Sequence, residues 1–241
     1  MGTDKSLSEL LPEQKMLDLF FDLDGPILDV SEKYYRVYAD LVKEYGNQPI
    51  PKENYWDYKR RRIPDDTILG LSGITGWVEE YRQLRKSRIE MLEYLACDRI
   101  WPGVLFMLQE LASHTSLILV TLRNSSETLT WELHNLGLLR VFSQVLSTSG
   151  DNTGVERAQV KVQLVQNALG LKSFSGWFIG DTETDIRTGQ LLGLQTAAVT
   201  YGIRTKEQLA SVQPDVLLES PEHLIEWGQT SLINKMSANA V

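Results

Sequence analysis

The chain is nearly devoid of cysteine. Cys97 is the only one in 241 residues, which excludes an intrachain disulfide and a cysteine-based metal site. It also lacks any apolar run long enough to cross a bilayer. The opening MGTDKSLSELLPEQK is polar, with no secretory apolar region, so a soluble, cytoplasmic protein is expected. Gly2 stands where a myristoyl group would attach, but the match stops at Ser6, and no membrane partner is expected. A basic excess is missing too. The chain has 24 Lys+Arg against 32 Asp+Glu, a net charge of −8, which argues against nucleic acid as partner because phosphate backbones are bound by surplus cations. His114, His134 and His223 share no spacing and are read as structural or surface residues. Internal repeats and low-complexity segments are absent.

Apolar residues make up 42% of the chain, enough for a sizeable core, and the length suits one large domain or a core with an insert. The most informative stretch is LDLFFDLDGPILD, residues 17–29. Leu17, Leu19, Phe20 and Phe21 form an apolar run of strand length. Asp22 and Asp24 follow at its C-terminal end, then Gly25 where the chain must turn, Pro26 which blocks further ladder pairing, and Asp29 just before a helix. Two carboxylates at the mouth of a buried strand repel each other and lose solvation. A core gains nothing from them, so a metal or a reaction is indicated.

Further along, the periodicity predicts a helix capped by Ser31 and running to Tyr45, with Tyr34, Tyr38, Leu41 and Tyr45 at helical spacing. Short pieces broken by Pro49, Pro51 and Pro64 follow, and then one long amphipathic helix from Trp77 to Ala96. Residues 31–100 therefore read as all-helical, without a strand. Past Trp101-Pro102-Gly103, strands alternate with helices: a helix at 104–112, LILVT at 117–121, a helix to Leu136, a strand within 141–146, a polar loop at 147–154, a helix around 160–169, strands at 177–180, 196–200 and 216–218, and a last helix from Ser220-Pro221. This pattern predicts an α/β, Rossmann-like parallel sheet with helices on both faces, plus an inserted all-helical cap domain. The divisions expected are a tail at 1–15, a core at 16–30 and 101–230, the helical insert at 31–100, and a tail at 231–241. Ligands of such sheets bind beyond the C-terminal strand ends, where Asp22, Asp24, Thr121 and Asp181 fall.

Asp22 and Asp24 are candidates for attack and proton transfer, against the reading of an Asp-rich surface turn. Asp181 and Asp185, in GDTETD, again follow a buried strand and open a helix. Two acidic strand ends in one sheet make a hard, oxygen-rich site suited to Mg²⁺, while Glu183 between them is taken as surface. Thr121 offers a hydroxyl and the next backbone N–H to a phosphate oxygen. Arg123 reaches substrate or only solvent. Lys161 stands at a helix start, where a cation is locally unfavourable, and can neutralise Asp22 and a transferring phosphoryl group. The run Lys59-Arg60-Arg61-Arg62 is read as a solvated face, the alternative being a specificity loop walled by Tyr55, Trp56 and Tyr58.

The order DLDGPILD, VT, a lone Lys and GDTETD closely resembles the haloacid dehalogenase-like hydrolase superfamily, in its phosphoglycolate-phosphatase-like branch, over about residues 16–220. The resemblance implies a Mg²⁺-dependent phosphatase for a small phosphorylated metabolite. Asp22 would be the nucleophile and Asp24 the acid and base. Thr121 and the Leu122 N–H would bind the phosphoryl oxygens, with Arg123 on the substrate side, and Lys161 would hold Asp22. Asp181 would bind the metal with the Asp22 side chain and the Asp24 carbonyl, supported by Asp185. Pro26, the absence of Pro-x-Pro after Lys161, and KRRR in the insert depart from the family pattern. Alternatives are a phosphomutase, a 2-haloacid dehalogenase, and a silent regulatory binding protein. Either a monomer or a homodimer is expected.

Overall fold

The computed structural model describes residues 17–148 and 154–233. The expected tail at 1–15, most of the 147–154 loop and the last eight residues lie outside them. Leu19, Phe20 and Phe21 form β1 (Asp18–Phe21) and are fully buried. Burial on both faces is why this strand is continuously apolar rather than alternating. After a tight turn come β2 (Leu28–Asp29) and the insert: α1 (Ser31–Glu44), α2 (Lys52–Arg60), α3 (Asp65–Leu71), α4 (Val78–Arg88) and α5 (Leu92–Leu95). β3 (Arg99–Ile100) returns antiparallel to β2. Then follow α6 (Val104–Ala112), β4 (Leu117–Val120), α7 (Ser126–Asn135), β5 (Gln144–Leu146), α8 (Arg157–Leu169), β6 (Gly176–Gly180), α9 (Glu183–Leu191), β7 (Gln195–Val199), α10 (Lys206–Ala210), β8 (Val216–Leu218) and α11 (Pro221–Trp227), with a π-helical turn over Gly228–Ile233.

The main sheet has the order β5-β4-β1-β6-β7-β8, and every pairing in it is parallel. From β1 the chain first builds β4 and β5 on one side, then crosses to β6, β7 and β8 on the other. The switch point of the topology is therefore β1 itself, and the crevice for a ligand opens at its C-terminal end. Phe21 pairs with Leu119 on one side and Ile179 on the other. Asp22, Thr121 and Asp181 consequently emerge together as the three strands end.

The insert has its own apolar cluster. It centres on Tyr38, whose ring stacks on Tyr55 at 4.4 Å, with Leu41, Ile68, Trp77 and Tyr81 packed around it. Four local expectations are corrected. Ser31 is the first residue of α1 rather than its cap, and its N–H donates to Asp29 Oδ1 at 2.9 Å, so Asp29 serves the helix start. α1 ends at Glu44, and Tyr45 is its C-cap, half exposed with its ring tilted against Trp77 at 4.2 Å. Residues 31–100 are not free of strand, because Arg99–Ile100 pair with Leu28–Asp29 and join the two connections to the core. The single helix over 77–96 is broken, with Met91 extended (φ −72°, ψ 143°). No Gly or Pro marks that break. Its cause is tertiary: the Glu90 carboxylate accepts the N–H groups of Asn124 (3.0 Å) and Ser125 (2.9 Å) at the start of α7. At the C-terminus, Leu232 is buried in the core, so order extends into the expected tail. No described helix is long and apolar enough to cross a membrane.

Candidate active site

The turn after β1 is held from several directions. Asp22 N–H continues the ladder to Ile179 O at 2.9 Å. Gly25 N–H donates to Leu28 O, and Leu28 N–H to Leu23 O. Gly25 adopts φ +104°, and a Cβ there would collide with the Asp181 carboxylate, so glycine is required twice over. Pro26 falls where no N–H is needed, and its carbonyl accepts the Tyr201 hydroxyl at 3.0 Å. Trp101 Nε1 donates to Gly25 O at 2.8 Å, and its ring meets Tyr201 edge-on at 5.3 Å. The stiff Gly-Pro pair is thus clamped by two aromatics from distant parts of the core.

Lys161, buried on α8, places Nζ 2.7 Å from Asp22 Oδ1 and 2.6 Å from Asp185 Oδ1. Asp185 closes a capping box with Thr182, whose N–H donates to Asp185 Oδ2 at 3.0 Å. Its oxygens are accordingly committed to Lys161 and the start of α9. Burial pushes Asp22 up to about 7 despite the Lys161 ammonium, with Asp185 and Asp24 adding repulsion. Burial also raises Asp181 well above the usual carboxylate range, and Asp185 and Asp22 reinforce the shift. Asp181 Oδ2 accepts the Ile203 N–H at 2.5 Å, but Oδ1 is buried without a partner. Asp22, Asp181 and Asp185 present oxygens within 4.8 Å of one another. An orphaned carboxylate oxygen amid oxygen donors is what a hard divalent cation fits.

Thr121, at the end of β4, is buried, and its N–H donates to Leu146 O at 2.9 Å. Thr121, Leu122 and Arg123 all line a cavity of about 430 Å³ with Asp22, Asp24 and Lys161. Arg123 does not extend to solvent. It is buried and grips Asp24 with both ends of its fork, Nε to Oδ2 at 2.9 Å and Nη2 to Oδ1 at 2.7 Å. Burial alone would raise Asp24, but the Arg123 guanidinium and the Lys33 ammonium hold it well below the usual carboxylate range.

Three residues of this neighbourhood escaped the sequence reading: Lys33, Asp98 and Glu132, all buried. Lys33 and Glu132 do leave a trace, since each interrupts an apolar stripe at helical spacing, Lys33-Val37-Leu41 and Leu129-Glu132-Leu133. Asp98 lies in a short connection without periodicity and leaves none. Burial pushes Glu132 up to about 8 against the pull of Arg123 and Lys33, and Asp98 adds to the rise. From pH 4.5 to 8, the folded protein therefore keeps a Glu132 proton that the unfolded chain has released. Stability attributable to this group falls as pH rises through that window, by at most about 1.4 kcal/mol per unit. Glu132→Gln keeps the shape and removes the titration. Melting curves between pH 5 and 9 are expected to slope less steeply for the variant, and identical slopes would refute the assignment.

The basic run is a solvated face only in part. Arg60 Nη2 donates to Thr200 O at 2.5 Å and Arg204 O at 3.2 Å, and Arg62 Nη2 pairs with Glu183 Oε2 at 2.8 Å. Glu183, expected on the surface, is part-buried between Arg62 and Arg204 and joins the insert to the core. Lys59 is half-buried, 5.1 Å from the Tyr34 ring centre. Desolvation, aided by the Arg85 charge, lowers it to about 7. Arg61 and Arg62 are both exposed, and Arg61 pairs with Asp57 one turn earlier.

Comparison with known proteins accords with this arrangement. A family model described as haloacid dehalogenase-like hydrolase matches residues 19–199. A phosphoglycolate phosphatase of Synechococcus elongatus is 25% identical over 211 residues, covering 88% of this chain and 96% of the relative. The pyrophosphatase PpaX of Oceanobacillus iheyensis is 22% identical over 217 residues, covering 86% and 94%. A solved haloacid dehalogenase-like family hydrolase from Streptococcus pneumoniae superimposes with a TM-score of 0.66 at 23% identity, covering 88% of this chain and 98% of that one.

Proposed function

The chain belongs to the haloacid dehalogenase-like hydrolase family, and on that premise we propose that it is a Mg²⁺-dependent phosphatase acting on a small phosphorylated metabolite through an aspartyl-phosphate on Asp22. It is an enzyme of phosphate-ester hydrolysis, as its curated relatives are phosphatases. The observation that carries the finer reading is the pair of carboxylates at the end of β1 with opposite environments. Asp22 is paired with Lys161, and Asp24 with Arg123. It is these partners, not the direction of the two shifts, that divide the tasks: the Lys161 ammonium aligns Asp22, and the Arg123 fork orients Asp24.

In this reading the negative charge of the bound ester beside Asp24 favours uptake of a proton from solvent by its carboxylate, which is ionised in the free enzyme. Asp22 attacks phosphorus, the bond to the leaving oxygen breaks, and Asp24 delivers that proton to the leaving oxygen. Asp24, now ionised, takes a proton from water as the water attacks the phosphoryl group. Free phosphate leaves, Asp22 is restored, and Asp24 releases its proton to solvent, because Arg123 and Lys33 hold its carboxyl well below the usual carboxylate range in the free enzyme. Thr121 and the Leu122 N–H hold phosphoryl oxygens, and Lys161 favours the ionised form of Asp22 against the cost of its burial and aligns it. Asp22, Asp181 and the Asp24 carbonyl would hold the cation, with Asp185 steadying them from the side. Its charge would neutralise the phosphoryl oxygens, the main demand of phosphoryl transfer. The cavity of about 430 Å³ suits a small ester. Residues 31–100 are proposed as a cap over it, joined to the core through Arg60, Arg62 and Glu90. A dehalogenase needs no second acid at the position of Asp24, and a silent regulator needs none of this chemistry.

The test is phosphate release from a panel of phosphorylated metabolites with Mg²⁺ and with chelator. Turnover of at least one small monoester that disappears in chelator is expected. Undiminished turnover in chelator would remove the metal from the mechanism. Transfer to a second position of the substrate without phosphate release would make the enzyme a mutase.

A further inference from the structure

Beside the reacting groups lies a second charge cluster that the chemistry above does not require. Lys33 Nζ is 2.5 Å from Asp98 Oδ2 and 3.4 Å from Asp24 Oδ1. Arg123 Nη2, besides holding Asp24, is 3.3 Å from Asp98 Oδ2 and 3.5 Å from Glu132 Oε2. The side chains of Lys33, Asp98, Arg123 and Glu132 are between 0% and 7% exposed, so the cluster is sealed on every side but that of Asp24. Asp98 and Glu132 do not line the cavity and cannot touch a substrate held in it. Apolar side chains of the same volume would serve stability as well or better than buried ions. What ions provide, and apolar groups do not, is direction. A two-pronged arginine fixes the plane of a carboxylate, and an arginine also bonded to Asp98 and packed against the buried Glu132 has little room to rotate away.

We propose that Lys33, Asp98 and Glu132 are positioning residues, Lys33 acting on Asp24 directly and Asp98 and Glu132 through Arg123, that fix the Asp24 carboxylate in the orientation from which it serves the leaving oxygen. The inference rests on the reading of Asp24 as acid and base. It also gives Arg123 a role other than substrate binding, since both of its prongs are occupied by Asp24. Location adds a second argument. Lys33 opens α1, and Asp98 directly precedes β3, so the cluster is built from the two connections between insert and core. Asp24 is thereby tied to both ends of the insert.

A cluster that only glues these connections would affect melting alone. A positioning cluster acts on proton delivery, which matters for a poor leaving group and hardly for a good one. The experiment compares kcat/KM on an alkyl phosphate and on nitrophenyl phosphate for wild type, Asp98→Asn, and the double variant K33M/D98L. The double variant removes one cation and one anion together and leaves Arg123 on Asp24, so it keeps the test available if Asp98→Asn does not fold. The expected result is a fall of about tenfold or more on the alkyl ester, with the nitrophenyl ester within about threefold of wild type. Equal losses on both esters, or no loss on either, would overturn the proposal while leaving the phosphatase reading intact. Absence of phosphate release from both esters by the wild type would overturn that reading, and the positioning role with it.

Discussion

Asp22→Asn is expected to lower phosphate release by about four orders of magnitude while leaving the fold intact. The two side chains have the same shape, and a carboxamide oxygen can still accept the Lys161 ammonium that now sits 2.7 Å from Asp22 Oδ1. What the amide lacks is the charge that attacks phosphorus. Stability should move the other way. Burial pushes the Asp22 carboxyl up to about 7, so at pH 8 the folded protein carries an ionised group it holds at a cost. The variant is relieved of that cost and should melt no lower than wild type at pH 8. Activity lost with stability kept separates a chemical role from a structural one. A second readout is direct: acid-quenched wild type mixed with substrate should carry covalent phosphate, and the variant none. Robust turnover by the variant would end the assignment of Asp22 as nucleophile.

The parts of the site that could be read in the sequence are those generated by backbone geometry. A parallel strand covered on both faces must be apolar along its length, and a ligand crevice must lie beyond its C-terminal end. LDLFF followed by Asp22 and Asp24, LILV by Thr121, and GWFIG by Asp181 each obey both conditions, and their pairing in the sheet follows from the alternation of strands and helices. Lys161 was accessible only as an oddity, a cation at the positive end of a helix. The residues that remained hidden act across long separations with no local mark. Asp98 reaches Lys33 over 65 positions, and Arg60 reaches the Thr200 carbonyl over 140. Composition also misled. Four consecutive cations look solvated because that is the usual fate of charge, but these lie where the insert meets the core. There the backbone carbonyls of Thr200 and Arg204 and the Glu183 carboxylate need partners. The break after α4 has the same character, since the docking of Glu90 on the N–H groups of Asn124 and Ser125, just ahead of α7, ends a helix that local propensity would continue.

Lys161→Met is the second large effect, and it reaches both activity and stability. The ammonium lies between Asp22 and Asp185, 2.7 and 2.6 Å away, and all three residues are buried. Methionine fills much of the same volume but leaves two desolvated carboxylates facing each other. Breaking a buried pair from one side costs about 3–5 kcal/mol. Phosphate release should fall by at least about a hundredfold, because Asp22 loses the charge that aligns it and the phosphoryl group loses a donor. The pH dependence gives the cause. Without the ammonium the buried Asp22 carboxyl ionises still less readily in the folded protein than in the unfolded chain, so the folded state binds more protons. The stability deficit should therefore be largest at pH 8 and shrink as the pH falls toward 5.5, where protonation removes the repulsion. Denaturant titrations at the two pH values, run in chelator so that no metal substitutes for the missing ammonium, measure this directly. A deficit of the same size at both would mean that lost packing rather than stranded charge is responsible. Unchanged phosphate release would mean that another cation serves the nucleophile, and would remove Lys161 from the site.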